Sequence, residues 1–227
     1  MAIDFSAVGA ALAAPARSAM LSALMDGSSR PASELAAAAG VRPSTASEHL
    51  AVLVGSGLLE VAAHGRHRYY RIADDGVADA LERLGRLCPE TPVRSYRQSR
   101  EAAALEQARL CYDHLAGRLG VAVAESMTDR GWLDLRTPTL TDAGHAALSE
   151  RGLDVAGLTG RRPLVRSCLD WTQRRPHLAG ALGAAVATRA LEAGWVTRRP
   201  GSRALRLTPA GRDGFADVWG VPAEVLG

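Results

Sequence analysis

Part of this chain is written twice, and that constrains its fold more than any local pattern does. Residues 114–132 read HLAGRLGVAVAESMTDRGW and residues 177–195 read HLAGALGAAVATRALEAGW, sharing 11 of 19 letters at a constant offset of 63. The match resumes four residues out of register, with Leu140-Thr141-Asp142-Ala143-Gly144 set against Leu207-Thr208-Pro209-Ala210-Gly211. A repeat of this length is read first, because each copy is one supersecondary unit. In each copy the pattern predicts a helix opening at the His, carrying Gly117 and Gly120 or Gly180 and Gly183, and ending at Gly-Trp. Two short strands follow, with Arg198-Arg199-Pro200-Gly201 near the turn of the second copy, and Leu-Thr-x-Ala-Gly then opens another helix. Helix, hairpin, helix predicts two degenerate winged-helix-like halves about a pseudo-twofold, the Gly pairs letting the repeat helices approach.

The surrounding stretches also read as helical. Cys88-Pro89-Glu90-Thr91-Pro92 breaks the chain. A long helical run then covers about residues 93–127, which at ~1.5 Å per residue would span roughly 50 Å. Between the copies, Pro163 and Pro176 bracket a further helix. On it Leu164, Cys168 and Trp171 share one face, and Arg162, Arg166 and Asp170 share the next, so an Arg–Asp pair is expected.

The first 85 residues are punctuated differently. Pro15 suits the first turn of a helix through Met25, and Ser29 suits an N-cap before a helix from Ala32 to Ala39. Gly40 makes a turn, and a second helix runs from about Pro43 to Val54. Leu35, Ala36, Ala39, Val41, Ala46, Leu50 and Leu53 form one apolar face across both. That is a helix-turn-helix, whose second helix exposes short polar side chains able to reach base edges and phosphates: Ser44, Thr45, Ser47, Glu48 and His49. Leu58–Ala62 and His67–Ile72 read as a hairpin about His64-Gly65. Its tip holds Arg66, His67 and Arg68. Residues 1–85 carry seven Arg against nine acids, so net charge does not mark a nucleic-acid surface, and the wing tip is where basic charge gathers.

On the stretch from ALAAPAR through ELAAAAGVRPSTASEHLAVL to the closing GRHRYYRI, the chain resembles the ArsR/SmtB family of bacterial winged-helix repressors. The resemblance covers about residues 10–85. It implies a homodimer on a palindromic operator, released when an effector binds, with Arg42 joining Ser44, Thr45, Ser47, Glu48, His49, Arg66, His67 and Arg68 at the DNA. Metal sensors of the family carry paired cysteines where this chain reads Val41-Arg42-Pro43-Ser44. The helix after the wing, about Asp75 to Leu87, has acids but no His. No metal is therefore expected at the family's usual positions.

Three chemistries compete for the second half. Cys111 and His114 lie three residues apart, and His177 is the repeat equivalent of His114. If the halves meet at the pseudo-twofold, Cys111, His114, Cys168 and His177 converge on a Cys₂His₂ metal- or thiol-sensing site. Trp132, Trp171, Trp195 and Tyr112 could instead line an organic effector pocket. The effector residues expected are Cys111, Tyr112, His114, Cys168, Trp171 and His177. The third use is packing or dimerisation alone.

No GxGxxG or GxxxxGK loop occurs, all 27 basic residues being Arg. Neither a nucleophile turn nor an oxyanion loop is visible, so no enzyme and no cofactor are expected. Three scattered cysteines make no disulfide framework and point to a cytoplasmic compartment. No apolar run approaches the ~20 residues of a membrane helix. The expected architecture is mostly α with short β-hairpins: a winged helix-turn-helix over 1–88, a linker or long helix over 89–110, and a duplicated domain over 111–227 for effector binding or dimerisation. The function expected is a DNA-binding repressor under small-molecule control. A metal or redox sensor is the first alternative, and a winged-helix interaction module without DNA the second.

Overall fold

Two helices crossing on small residues and a strand pair with an alternating pattern build the first part of the chain. In the computed structural model, which describes residues 3–65, 67–85, 87–88, 95–158, 160 and 162–227, the chain divides into two compact units between Glu82 and Arg83. The first unit contains α1 (Ser6–Leu12), α2 (Pro15–Leu24), β1 (Arg30–Pro31), α3 (Ala32–Ala39), α4 (Pro43–Gly55), β2 (Leu59–His64) and β3 (His67–Ile72), and α5 (Asp75–Gly85) leads out of it. Its core holds five of the seven residues of the expected apolar face, Ala39 and Val41 being only half-buried. Leu35 and Ala36 of α3 and Ala46, Leu50 and Leu53 of α4 are buried with Met20, Leu21 and Leu24 of α2 and with Leu59 and Ile72 of the hairpin. The sheet order is β1-β3-β2, all antiparallel. The edge strand β1 lies where a helix cap at Ser29 was expected. Arg30 pairs with Tyr70 across the sheet, and its guanidinium grips Asp26 at 2.8 Å.

The second unit runs α6 (Tyr96–Gln107), β4 (Arg109–Cys111), β5 (His114–Ala116), α7 (Gly117–Asp129), β6 (Leu133–Asp134), β7 (Thr139–Leu140) and α8 (Asp142–Glu150). It then repeats that order from β4 onward, with β8 (Arg166–Leu169), β9 (Pro176–Ala179), α9 (Gly180–Glu192), β10 (Val196–Arg198), β11 (Leu205–Leu207) and α10 (Pro209–Trp219), before closing on α11 (Ala223–Leu226). The Leu-Thr-x-Ala-Gly motif does the same work in both places. Thr141 and Thr208 cap α8 and α10 by accepting the amides of Gly144 and Gly211, and their own amides donate to Trp132 and Trp195.

Three expectations are corrected here. The long helix over 93–127, which supplied the 89–110 linker, is broken: α6 stops at Gln107 and the chain turns into β4. The duplicated run does not open on a helix at His114 or His177. Both residues sit in strands, and the helices start at Gly117 and Gly180, whose φ of +76° and +86° ends the extended run. Where a helix between Pro163 and Pro176 was expected, residues 166–179 form the β8–β9 hairpin, so the Arg–Asp pairing changes. Asp170 is held by Arg109 at 2.9 Å, and Arg162 binds Asp113. Ala-rich and Arg-rich segments suit a helix locally, but short cross-strand ladders decide here: Cys111 faces His114, and Cys168 faces His177.

The two runs exchange partners. α7 packs on β9, α9 packs on β5, and β5 lies against β9. Gly120 and Gly183 serve this arrangement differently from the helix–helix approach expected of them. A Cβ on Gly183 would stand 2.6 Å from the Leu178 carbonyl oxygen and 3.2 Å from Cβ of His114. Gly183→Ala is thus expected to lower the stability of the second unit by about 1–3 kcal/mol through overpacking. Urea unfolding followed by tryptophan fluorescence checks this, since all four Trp residues lie in this unit. An unchanged midpoint would contradict the close approach.

Candidate nucleic-acid interface and a buried cysteine–histidine cluster

On α4 the side chains of Arg42, Ser44, Ser47 and Glu48 are exposed at its start and along one face, with Thr45 half-buried among them. Ser47 Oγ donates to the Pro43 carbonyl at 3.0 Å, which leaves its lone pairs outward. His49 is placed otherwise than expected. It is half-buried, and its Nδ1 accepts from Arg17 Nη1 at 3.3 Å, while Arg17 also donates to the Ala10 and Ala11 carbonyls. His49 thus ties α4 to α2 and the end of α1. At the wing, His64 pairs with His67 and Ala63 with Arg68, and both His67 and Arg68 are exposed. Arg71, further down the wing, is paired with Glu60. Arg66 lies outside the described residues.

In the second unit the two hairpins bring four side chains together. One ligand atom from each of Cys111, His114, Cys168 and His177 lies within 4.8 Å of all the others. The two sulfurs are 3.9 Å apart, and the imidazole rings stack with centroids 5.0 Å apart. All four residues are buried, His177 completely, among the small side chains of Ala116 and Ala179. Among the described residues, neither ring nitrogen of His177 makes a regular hydrogen bond, nor does Nε2 of His114.

Carboxylates flank the imidazoles. His114 Nδ1 is 3.2 Å from Asp113, which Arg162 holds from the other side. Burial opposes ionisation of Asp113, but His114 and Arg162 outweigh it and hold the carboxyl down to about 2. Burial likewise disfavours the His114 imidazolium, and Asp113 and the Cys168 sulfur outweigh it, raising the His114 pKa. The Cys111 thiol, together with the two imidazoles, holds the Cys168 thiol far below its ordinary pKa against the effect of burial. Asp170 Oδ2 stands 3.9 Å from His177 Nδ1 and accepts from Arg109 at 2.9 Å and from the Gly117 amide at 2.7 Å. Arg109 in turn lies over the Trp171 ring, 4.8 Å from its centroid.

Of the effector residues named from sequence, Cys111, His114, Cys168 and His177 therefore meet. Tyr112 occupies the β4–β5 turn at φ +61°, and Trp171 packs against Arg109 rather than on the cluster's ring stack. Trp132 and Trp195 take equivalent places in the two runs, Trp132 beneath Arg130 and Arg151 and Trp195 against Phe215. Arg109, Asp113 and Arg162 were missed as supports. One signal was present in the sequence: Arg-x-Cys recurs at 109–111 and 166–168, an offset of 57. The offset of 63 beyond it hides a six-residue insertion in the second hairpin's turn.

A helix-turn-helix domain model matches residues 12–62 of the chain. The uncharacterized HTH-type transcriptional regulator YdfF of Bacillus subtilis (strain 168) is 42% identical over 216 residues, spanning 93% of this chain and 95% of YdfF. The HTH-type transcriptional regulator CmtR of Mycobacterium tuberculosis (strain ATCC 25618 / H37Rv) is 43% identical over 77 residues, 34% of this chain and 64% of CmtR. Among solved structures, the NMR structure of the cadmium metal-sensor CMTR from Mycobacterium tuberculosis shares 36% identity. It covers 40% of this chain and 99% of that one, at a TM-score of 0.32. The chain belongs to the HTH-type transcriptional regulators and carries their helix-turn-helix domain. Like its relatives it is a DNA-binding regulator of transcription and not an enzyme. No single helix among the described residues is long and apolar enough to cross a membrane.

Proposed function

We propose that the chain is a cytoplasmic, homodimeric repressor that occupies a palindromic operator and releases it when its C-terminal unit takes up a small ligand. The observation that carries this reading is the pairing of an exposed polar face on α4 with a basic wing, in a chain whose likeness to a transcriptional regulator runs through both units. Two α4 helices of a dimer, set one helical turn apart, reach two half-sites about 34–36 Å apart. The exposed apolar side chains Ile3 and Phe5, flanking the start of α1, support a second copy as partner. The duplicated unit, read as two winged-helix-like halves, gives the ligand a seat between them.

The test is a mobility-shift and footprinting experiment on DNA upstream of the chain's own gene. A two-fold footprint with half-sites one turn, or a multiple, apart is expected. A single asymmetric half-site would overturn the dimer reading, and no shift at all would leave the interaction module without DNA. Arg68→Ala is expected to weaken binding to operator and random DNA alike and to flatten the salt dependence by about 0.9 in log–log slope per lost phosphate contact. An Arg68→Ala protein with unchanged affinity and slope would remove the wing from the interface.

A further inference from the structure

We propose that Cys111, His114, Cys168 and His177 form a four-coordinate site for a borderline-soft divalent cation, zinc being the type case, with one Cys and one His supplied by each hairpin. Only its regulatory meaning rests on the reading above; the site itself stands on its own geometry. It also lies outside the places where the family resemblance puts metal ligands, the start of α4 and the helix after the wing.

Tetrahedral zinc with Zn–S of about 2.3 Å and Zn–N of about 2.0–2.1 Å has edges of about 3.8 Å between sulfurs and about 3.3 Å between nitrogens. The sulfurs here stand 3.9 Å apart, and the longest spacing in the set is 4.8 Å. Reaching the tetrahedral edges from that spacing takes about 1–1.5 Å, shared between the two side chains concerned. A packing role does not account for the nitrogens. Buried polar atoms are ordinarily hydrogen-bonded, yet among the described residues Nε2 of His114 and both ring nitrogens of His177 make no regular hydrogen bond, and both rings lie against the Cys168 sulfur instead. A metal ligand takes up one lone pair on each ring.

The surroundings match a metal's outer shell. Asp113 engages His114 Nδ1, which sets the tautomer that leaves Nε2 for the ion. Asp170, locked by Arg109, the Gly117 amide and Thr172, sits beside His177 Nδ1. Two thiolates balance a divalent charge, so the loaded core is neutral. Two sulfurs and two imidazoles favour zinc and its soft neighbours over magnesium or calcium, which take oxygen ligands.

Full-length chain, purified under reducing conditions without chelator, is expected to hold one zinc per chain by elemental analysis. Stripped protein titrated with cobalt(II) is expected to show thiolate-to-cobalt charge transfer and the intense visible bands of a tetrahedral ion. Cys111→Ser and His177→Gln should each abolish stoichiometric binding, and Asp113→Ala should weaken it by about 10- to 100-fold. Should these variants fail to fold, the wild-type cobalt spectrum decides alone. Stripped wild type that takes up neither zinc nor cobalt would overturn the proposal. So would native protein whose mass shows a Cys111–Cys168 disulfide in place of metal. Zinc bound with operator affinity unchanged would uphold the site and sink its role as effector seat, which separates the two readings.

Discussion

Replacing Arg109 with Ala is expected to destabilise the C-terminal unit by about 3–5 kcal/mol, because it strands a buried carboxylate. Arg109 and Asp170 are both fully buried and meet at 2.9 Å. Burial alone would push the Asp170 carboxyl up. The Arg109 charge outweighs that, helped by the Thr172 hydroxyl and the Gln173 and Gly117 amides, and holds it well below the ordinary carboxylate range. A depressed folded pKa contributes stability that is present above the unfolded value of about 3.9 and is lost as pH falls. Without Arg109 the sign reverses, since the buried carboxyl then prefers its proton. The Arg109→Ala penalty should therefore be largest near neutral pH and shrink below about pH 4. Urea unfolding at several pH values, read by tryptophan fluorescence, measures it. A penalty independent of pH would show that lost packing, including the stack on Trp171, accounts for the effect. The double variant Arg109→Met with Asp170→Leu should recover much of the loss, because no unpaired charge then remains.

Trp219→Ala should cost a similar amount, about 3–5 kcal/mol, through the cavity it leaves. Trp219 is buried at the end of α10, where Gly220 terminates the helix in the left-handed region and the Val221 amide returns to the Phe215 carbonyl. Its carbonyl accepts from Ser126 of α7, and the neighbouring Val218 carbonyl accepts from Arg151 at 3.1 Å. The last helix of the second run is thereby fastened to the helices of the first. Thermal unfolding should show a midpoint lowered by roughly 10 °C. A shift of only a degree or two would mean that the site collapses around the missing ring.

The first unit was legible in sequence because its signals are local. Pro15, Gly40 and Pro43 punctuate α2, α3 and α4, and Gly65 marks the wing turn, each within a few residues of the element it bounds. The C-terminal unit was legible only as a repeat. Its decisive strands are three or four residues long, in segments whose Ala and Arg content suits a helix, and nothing within Arg109–Cys111 or Arg166–Leu169 says that these residues pair. The convergence of the four Cys and His side chains followed from the duplication, although the elements imagined to carry them were helices. The supports were harder to see. Asp113 is joined to His114 by adjacency alone, and Arg109 reaches Asp170 across 61 residues.

The exchange of partners between the two runs also governs how the unit comes apart. In a solenoid each repeat touches only its neighbours, so stability is a sum of local steps and melting can begin at an end. Here α7 covers the strand of the other run and α9 returns the exposure, so neither run keeps an apolar face covered without its counterpart. The duplicated domain resembles a dimer whose two runs are covalently joined by a segment that itself adds Leu153, Val155 and Val165 to the core, and the join makes the partner's effective concentration a constant of the chain. Cut in residues 151–165, between α8 and β8, the same two pieces would have to find each other in solution, and their stability would then depend on protein concentration.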